Sequence, residues 1–184
     1  MDIREEIKKV IKESPIEEDP GHSETTLQRL LKLKPDADEA LQIAALAHDI
    51  ERGVTKKSET SLKDYKNGYA EYKKQHASMS AKIISEMLQK HGYDDKFVEK
   101  VKKLVENHEV GGDPETDVLR DADSLSFFSY NLSFNLKRNG REIAKEKIKF
   151  MYSRMSKRAK DIAQKIDFAN EELTKLFKEA ISET

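Results

Sequence analysis

The chain of 184 residues contains no cysteine, no tryptophan and no long apolar segment. Without cysteine it can form neither a disulfide nor a thiolate metal site. No apolar run approaches the roughly 20 residues that a helix needs to cross a bilayer. Residues 1–14 are rich in charge and lack the apolar centre of a signal peptide. We therefore expect a cytoplasmic protein with no membrane partner.

The chain also lacks an excess of charge of either sign. It has 34 basic and 35 acidic residues, for a formal net charge of -1, so we expect no nonspecific binding to nucleic acid. A hydrophobic fraction of 36% with 38% charged residues suits one modest core beneath a dense surface of mixed charge. This length predicts a single domain over residues 1–184.

Apolar residues recur at helical spacing along almost the whole chain, and alternating strand patterns are absent. The pattern predicts helices over 3–11, from Ser23 as N-cap to 33, from Asp36 or Asp38 to 47, and over 76–91, 97–108, 119–136, 143–155 and 161–181. Residues 17–21 are predicted to form a turn, since Pro20 and Gly21 disfavour helix. The pattern weakens over 51–75, which predicts a mobile loop with a short helix, suited to substrate recognition. The fold class is predicted to be all-α.

Histidine and aspartate occur in an order that indicates a metal site. The candidate ligands are His22, His48, Asp49, His76, His108, Asp121 and Asp123. Imidazole and carboxylate groups together suit Mn²⁺, Fe²⁺, Co²⁺, Ni²⁺ or Zn²⁺, with Mg²⁺ as a further candidate. His48 and Asp49 end the apolar run 40–47, and burying two such groups is costly unless a partner such as a metal ion compensates. We expect one or two divalent ions.

The candidate ligands are not equivalent. His22, His48 and Asp49 form the principal set, because two imidazoles and a carboxylate leave coordination positions for water and substrate. Asp121 and Asp123 lie two residues apart, roughly 200° around a helix, so only one is expected to face the site. Asp123 is favoured, and Asp121 stays the alternative. His91, which precedes a helix-stop glycine, is interpreted as structural.

Together these motifs resemble the HD superfamily of metal-dependent phosphohydrolases. The resemblance rests on His22 within DPGHS, His48-Asp49 within AHDIER, His76 within HASMSA, His108 at a helix end, and the DADSL segment that contains Asp123. It covers roughly residues 19–130 and leaves 140–184 as a helical extension. It implies an HD-domain helical bundle with a C-terminal extension, in which His76 and His108 either hold a second ion, with Asp49 bridging, or line a phosphate pocket.

The resemblance also bears on catalysis. Asp49, or whichever of Asp121 and Asp123 is not a ligand, is expected to orient the attacking water, and Arg52, three residues after Asp49, to neutralise phosphate. The alternative for Arg52 is a surface cation at a helix end. Related phosphodiesterases carry a lysine at the place comparable to Arg52, and some nucleotidases carry a catalytic carboxylate there. Here the carboxylate is Glu51, one position earlier, so the subfamily stays open.

The expected activity is hydrolysis of a phosphoester or phosphoanhydride by metal-activated water. The substrate is a small phosphorylated metabolite, with a nucleotide favoured, whose base Tyr65, Tyr69 or Tyr72 could stack on. Lysines at 56, 57, 73 and 74 are nonspecific candidates for binding phosphate. Three alternatives remain: a noncatalytic nucleotide-binding regulatory module, a structural helical protein, and an oxygenase with two irons. The helical length of 140–184 suggests a homodimer.

Overall fold

A computed structural model describes residues 2–56, 69–168 and 170–184, and every regular element in these ranges is helical. The helices are α1 (Ile3–Ile11), α2 (Asp19–Leu33), α3 (Glu39–Ala47), α4 (Glu51–Thr55), α5 (Tyr69–Lys90), α6 (Asp95–Asn107), α7 (Pro114–Ser126), α8 (Leu132–Asn139), α9 (Arg141–Ser153), α10 (Lys157–Ala163) and α11 (Glu171–Ser182). The all-α prediction is confirmed. Lys57, Tyr65 and the side chain of Tyr69 lie outside the described residues.

Helix α3 lies at the centre of the bundle. It packs against α2 and α6, and residues 43–47 are almost wholly buried. Small alanines at 44, 45 and 47 let neighbouring helices approach closely, and the Asp38 side chain caps the helix by accepting a hydrogen bond of 3.0 Å from the Leu41 amide. The helix ends at His48, so the bundle delivers His48 and Asp49 to its interior.

Helix α2 begins earlier than the sequence pattern suggested. It starts at Asp19, because proline is tolerated in the first turn of a helix. A Cβ atom on Gly21 would lie 2.1 Å from the ring of Tyr130, so a glycine there permits close packing. Ser23 is not the N-cap: its hydroxyl donates to the Leu46 carbonyl at 2.6 Å. The predicted turn over 17–21 is therefore wrong in its second half, and His22 lies in the first turn of α2.

The region 51–75 was predicted to be a loop with a short helix. Residues 51–55 form α4, and α5 already begins at Tyr69, so His76 lies two turns inside a long helix. Residues 57–68, where most of that predicted loop falls, lie outside the described residues.

A π-helical segment, Phe127–Asn131, joins α7 to α8 where the pattern predicted one continuous helix. In an α-helix, each step of four residues rotates a side chain by about 40°. The wider π turn reverses that drift. Side chains at four-residue spacing, Asp123, Phe127, Asn131 and Asn135, consequently line one and the same pocket.

The C-terminal residues, predicted as a helical extension over 140–184, pack against the rest of the bundle. The predicted helix over 161–181 is interrupted, since α10 ends at Ala163 and α11 begins at Glu171. Phe177 of α11 packs edge-on against Phe128, with ring centroids 5.0 Å apart. The apolar face of α11 is thus covered within the chain, so its helical length no longer argues for a homodimer.

The start of α7 offers a test of local stability. The Asp113 carboxylate caps the helix, accepting from the Thr116 amide at 2.9 Å, and pairs with Lys103 at 2.8 Å. These contacts lower the pKa of Asp113 from 3.8 to about 2. A lowered pKa means that the stabilisation is present above about pH 4 and is lost as the pH falls through about 2.

We expect Asp113→Ala to lower the free energy of unfolding by about 1 kcal/mol at pH 7, because an N-cap carboxylate is removed. The difference from wild type should shrink as the pH falls from 4 to 2, as measured by urea unfolding. Asp95→Ala, at an exposed acidic residue in the first turn of α6 that is not the cap, is the control with little effect. An equal loss in both variants would contradict the capping role.

Among the described residues, no helix combines the length and apolar character that a membrane span requires.

Candidate metal centre

Four of the predicted ligands converge in the interior of the bundle. The Nε2 atoms of His22 and His48 lie 3.2 Å apart. Asp123 Oδ1 lies 3.1 Å from His22 Nε2 and 3.8 Å from His48 Nε2. Asp49 Oδ2 completes the group, at 3.9 Å and 3.7 Å from the same two nitrogens. These four residues are called the ligand cluster below.

The spacing within the ligand cluster fits a metal ion. Two donor atoms about 2.1 Å from one ion, at angles of 90–110°, lie roughly 3.0–3.4 Å apart. The observed separations of 3.1–3.9 Å need only small movements to reach that range. Three of the four residues, His22, His48 and Asp49, have ligand atoms that all lie within 4.8 Å of one another. These residues could therefore hold a divalent ion.

In His48 and His22, the hydrogen bond made by Nδ1 determines that Nε2 faces the ligand cluster. His48 Nδ1 lies 2.9 Å from the Ala45 carbonyl oxygen, so it must donate and leave Nε2 as the acceptor. The Ser126 hydroxyl donates to the His22 carbonyl at 3.1 Å and therefore accepts from His22 Nδ1 at 2.9 Å. Supporting contacts of this kind are typical of metal-binding histidines.

Two Nε2 lone pairs that face each other at 3.2 Å repel, unless a positive charge lies between them. Burial alone would lower the pKa of His22, but the hydrogen bond and charge of Asp123 outweigh it and raise the pKa. A proton on His22 is thus one solution, and a metal cation is the other. The donor set fits a cation because two carboxylates flank the two nitrogens.

Asp49 occupies the centre of the charge network. Its Oδ2 accepts from Arg52 Nη1 at 2.6 Å, and its Oδ1 lies 2.7 Å from His76 Nε2. Burial would raise the pKa of Asp49, yet Arg52 and the two neighbouring histidines hold it well below its usual range. Arg52 also contacts Asp19 at 3.1 Å and is buried. It is therefore not a surface cation at a helix end, and it positions Asp49.

The carboxylate of Glu51 faces His76 and Thr55. Its Oε2 lies 2.9 Å from His76 Nδ1, and its Oε1 accepts from the Thr55 hydroxyl at 2.5 Å. Burial opposes ionisation, but these hydrogen bonds outweigh it and lower the pKa of Glu51. A carboxylate of this kind orients the histidine between it and Asp49, rather than donating a proton.

His108 is held as a neutral imidazole. It is buried, and its Nδ1 lies 2.6 Å from the Val105 carbonyl, which leaves Nε2 as an acceptor. Burial lowers the pKa of His108 to about 4. A neutral imidazole can ligate a metal ion but cannot supply positive charge to a phosphate. Its ring lies 5.2 Å from that of His48 and 6.4 Å from that of His76.

The two aspartates of α7 have separate environments. Asp123 faces His22, whereas both oxygens of Asp121 accept from Ser156, at 2.9 Å from the amide and 2.5 Å from the hydroxyl. Asp121 does not line the pocket. It therefore braces the start of α10, and of the two alternative ligands Asp123 is the one that the structure places beside His22.

Arg154 contacts Asp123 and Glu109, although it lies outside the range 19–130 in which ligands were expected. Its guanidinium donates to Asp123 Oδ2, to the Ser124 hydroxyl at 3.2 Å and to Glu109 Oε2 at 2.5 Å. Lys73 also pairs with Glu109. Burial would raise the pKa of Glu109, but Lys73 and Arg154 hold it well below its usual range. Arg154 lies C-terminal to the predicted metal-site core of 19–130 and contacts its aspartate from there.

A single pocket joins these groups. Its lining consists of Ile16, Glu18, Asp19, His22, Asp49, Arg52, Tyr72, Lys73, His76, His108, Glu109, Asp123, Phe127, Asn131, Asn135, Lys147, Met151 and Arg154. Tyr72 stacks on His76, with ring planes 18° apart. Of the candidate lysines, Lys73 lines the pocket, as does Lys147. Lys56 instead pairs with Glu13, and Lys74 lines another groove. His91 pairs with Glu6 on α1. His91 thus lies apart from the site, as predicted.

Sequence reasoning missed Glu109, Asn131, Asn135, Lys147 and Arg154. Glu109 directly follows a predicted ligand, and the two asparagines continue the four-residue spacing from Asp123. Those signals could have been read. No local signal marks Arg154 or Lys147, since only the packing of α9 against the bundle brings them to the pocket.

Neither a curated protein nor a solved structure matches the chain significantly. A family model described as a domain of unknown function, DUF4202, matches residues 4–176. The matched range includes the segments that supply Lys147 and Arg154 to the pocket. The chain therefore belongs to the DUF4202 family.

Proposed function

We propose that this protein is a metal-dependent phosphohydrolase that cleaves a phosphoester or phosphoanhydride of a small phosphorylated metabolite or nucleotide. The observation that carries the proposal is the ligand cluster. In it, the Nε2 atoms of two imidazoles lie 3.2 Å apart between two carboxylates, and the Nδ1 atom of each imidazole is held by a hydrogen bond. The resemblance of its motifs to the HD superfamily supports the same activity. Burying so many ionisable groups at one point is costly for folding alone.

The first ion would be held by His22, His48, Asp49 and Asp123. A second would be held by Asp49, His76 and His108: an ion there would replace the proton that His76 Nε2 and Asp49 Oδ1 share at 2.7 Å, and His108 presents a neutral Nε2. Mn²⁺, Fe²⁺, Co²⁺, Ni²⁺ or Zn²⁺ suits these ligands. Such an ion supplies a nucleophilic water at neutral pH and polarises a phosphoryl oxygen.

The side chains of the pocket have distinct tasks in this proposal. Arg52 holds the carboxylate of Asp49 in place, and Arg154 does the same for Asp123. Lys73, Lys147 and Arg154 form one cationic wall, since all three line the pocket, and burial lowers the pKa of Lys73 to about 8. This wall would bind the phosphate oxygens and stabilise charge that develops on them.

The test is hydrolysis of p-nitrophenyl phosphate, bis-p-nitrophenyl phosphate and a set of nucleotides, with Mn²⁺, Co²⁺, Ni²⁺ or Mg²⁺ added to EDTA-treated protein. We expect turnover that depends on the metal and is removed by EDTA. His91→Gln, outside the pocket, should retain it. Metal binding without turnover of any substrate would instead support a nucleotide-binding regulatory module, and two irons per chain with an oxygen-dependent product would indicate an oxygenase.

A further inference from the structure

We propose that the pocket takes the phosphate ester of a polyhydroxylated alcohol, and that Asn131 and Asn135 hydrogen-bond to its hydroxyl groups. The inference rests on the proposed function for the placement of the phosphate beside the ligand cluster. It adds the chemical class of the remainder of the substrate.

The two asparagines carry buried polar atoms that lack a partner. The Oδ1 atoms of Asn131 and Asn135 are shielded from solvent and, within the described part of the chain, have no hydrogen-bond partner. The whole side chain of Asn135 is only 7% exposed, and both residues line the pocket. A buried amide oxygen without a hydrogen-bond partner destabilises the fold, because the oxygen has lost its bond to water and gained none in return. We infer that a ligand supplies the missing donor.

The backbone aims both amides at the same wall as the ligand cluster. The π-helical segment keeps Asp123, Asn131 and Asn135 in one line along the pocket, four residues apart. A molecule whose phosphate lies at Asp123 and the neighbouring cations therefore extends along this wall toward the amides. π-Helical insertions of this kind occur frequently at functional sites.

The charged side chains of the pocket indicate that one end suits a phosphate and the other an uncharged group. On the side of Arg154, three cations face the two carboxylates Glu109 and Asp123, which suits a phosphate. On the side of the asparagines, Arg138 pairs with Glu18 at 2.6 Å and Arg52 with Asp19 at 3.1 Å. An uncharged group is favoured there, because the charges are already matched and the remaining polar groups are amides.

A hydroxyl group matches an amide better than other uncharged groups do. An asparagine side chain offers an acceptor oxygen and a donor nitrogen, and a hydroxyl can serve both. Two asparagines one helical turn apart can contact neighbouring hydroxyls on a short carbon chain. The pocket is therefore expected to prefer a sugar or polyol phosphate, or the ribose of a nucleotide, over an alkyl phosphate.

The experiment compares ribose 5-phosphate with pentyl phosphate, which has five carbons and no hydroxyl groups. The readout on Mn²⁺-loaded protein is the ratio of kcat/KM values where turnover occurs, and the ratio of calorimetric dissociation constants where it does not. We expect a preference of about 10-fold or more for ribose 5-phosphate. Asn135→Leu and Asn131→Leu should each reduce the ratio toward 1, while Asn139→Leu, outside the pocket, retains it.

The outcomes separate this inference from the proposed function. Selective binding without turnover would overturn the hydrolase and support the hydroxyl site. Equal handling of the two compounds by the wild type, binding of neither, or a preference that survives in both asparagine variants would overturn the hydroxyl site. Circular dichroism of each variant confirms that it is folded.

Discussion

Asp49→Ala is expected to abolish metal-dependent turnover, lowering kcat/KM by about 1,000-fold or more. The carboxylate joins both proposed ion sites, since Oδ2 faces His22 and His48 while Oδ1 lies 2.7 Å from His76. Removing a ligand shared by two ions weakens both, and it leaves Arg52 without its closest anion. Elemental analysis and initial rates with added Mn²⁺ measure the two losses together.

The neighbouring aspartates of α7 provide a matched comparison for this result. Asp123→Asn should lose bound metal and turnover, whereas Asp121→Asn should retain both, because Asp121 contacts Ser156 rather than the cluster. The two variants change the same chemical group at positions two residues apart. Equal metal content and activity in both would contradict the assignment of Asp123 as a ligand, and full activity in Asp49→Ala would contradict the mechanism.

Arg154→Met is expected to give the largest loss of stability in the metal-free protein, about 3 kcal/mol in the free energy of unfolding. The Arg154 side chain is 9% exposed and pairs with Asp123 and Glu109, so its loss removes the closest cation of Asp123 and leaves Glu109 with Lys73 alone of its two paired cations. Removing one partner of a buried ion pair is strongly destabilising. Urea unfolding of EDTA-treated protein measures the difference.

Mn²⁺ should recover part of that loss, because an ion at the ligand cluster again neutralises Asp123. The stabilisation by Mn²⁺ is thus expected to be larger in Arg154→Met than in wild type at saturating metal. Arg141→Met removes an arginine of α9 whose pair with Glu179 is exposed, and should change stability by less than about 1 kcal/mol. If Arg154→Met lowered the free energy of unfolding by no more than Arg141→Met does, the buried ion pairs of Arg154 would contribute little to stability.

The helices could be predicted because their apolar spacing and caps are local properties. Asp36 or Asp38 was expected to open α3, and Asp38 is the cap; the long apolar run before His48 correctly indicated the central helix. The early start of α2 was missed, since the role of Gly21 depends on Tyr130, more than 100 residues away in sequence. The π-helical segment was missed because no feature of residues 127–131 distinguishes it from an ordinary helical turn.

The centre of the site could be predicted for a different reason. The order of the histidine and aspartate motifs along the sequence resembles that of a known superfamily, and the structure brings His22, His48, Asp49 and Asp123 together. The partners of these residues are common surface residue types. Arg154 and Lys147 resemble the many other basic residues of the chain, and only burial distinguishes them, which is a property of the tertiary packing.

The most direct test of the account is a titration of EDTA-treated protein with Mn²⁺, in which the free ion is followed by electron paramagnetic resonance. We predict saturable binding of at least one ion per chain, lost in His48→Gln and retained in His91→Gln, whose histidine pairs with Glu6 instead. Absence of saturable binding in the wild type, or unchanged binding in His48→Gln, would contradict the claim that the ligand cluster is a metal site.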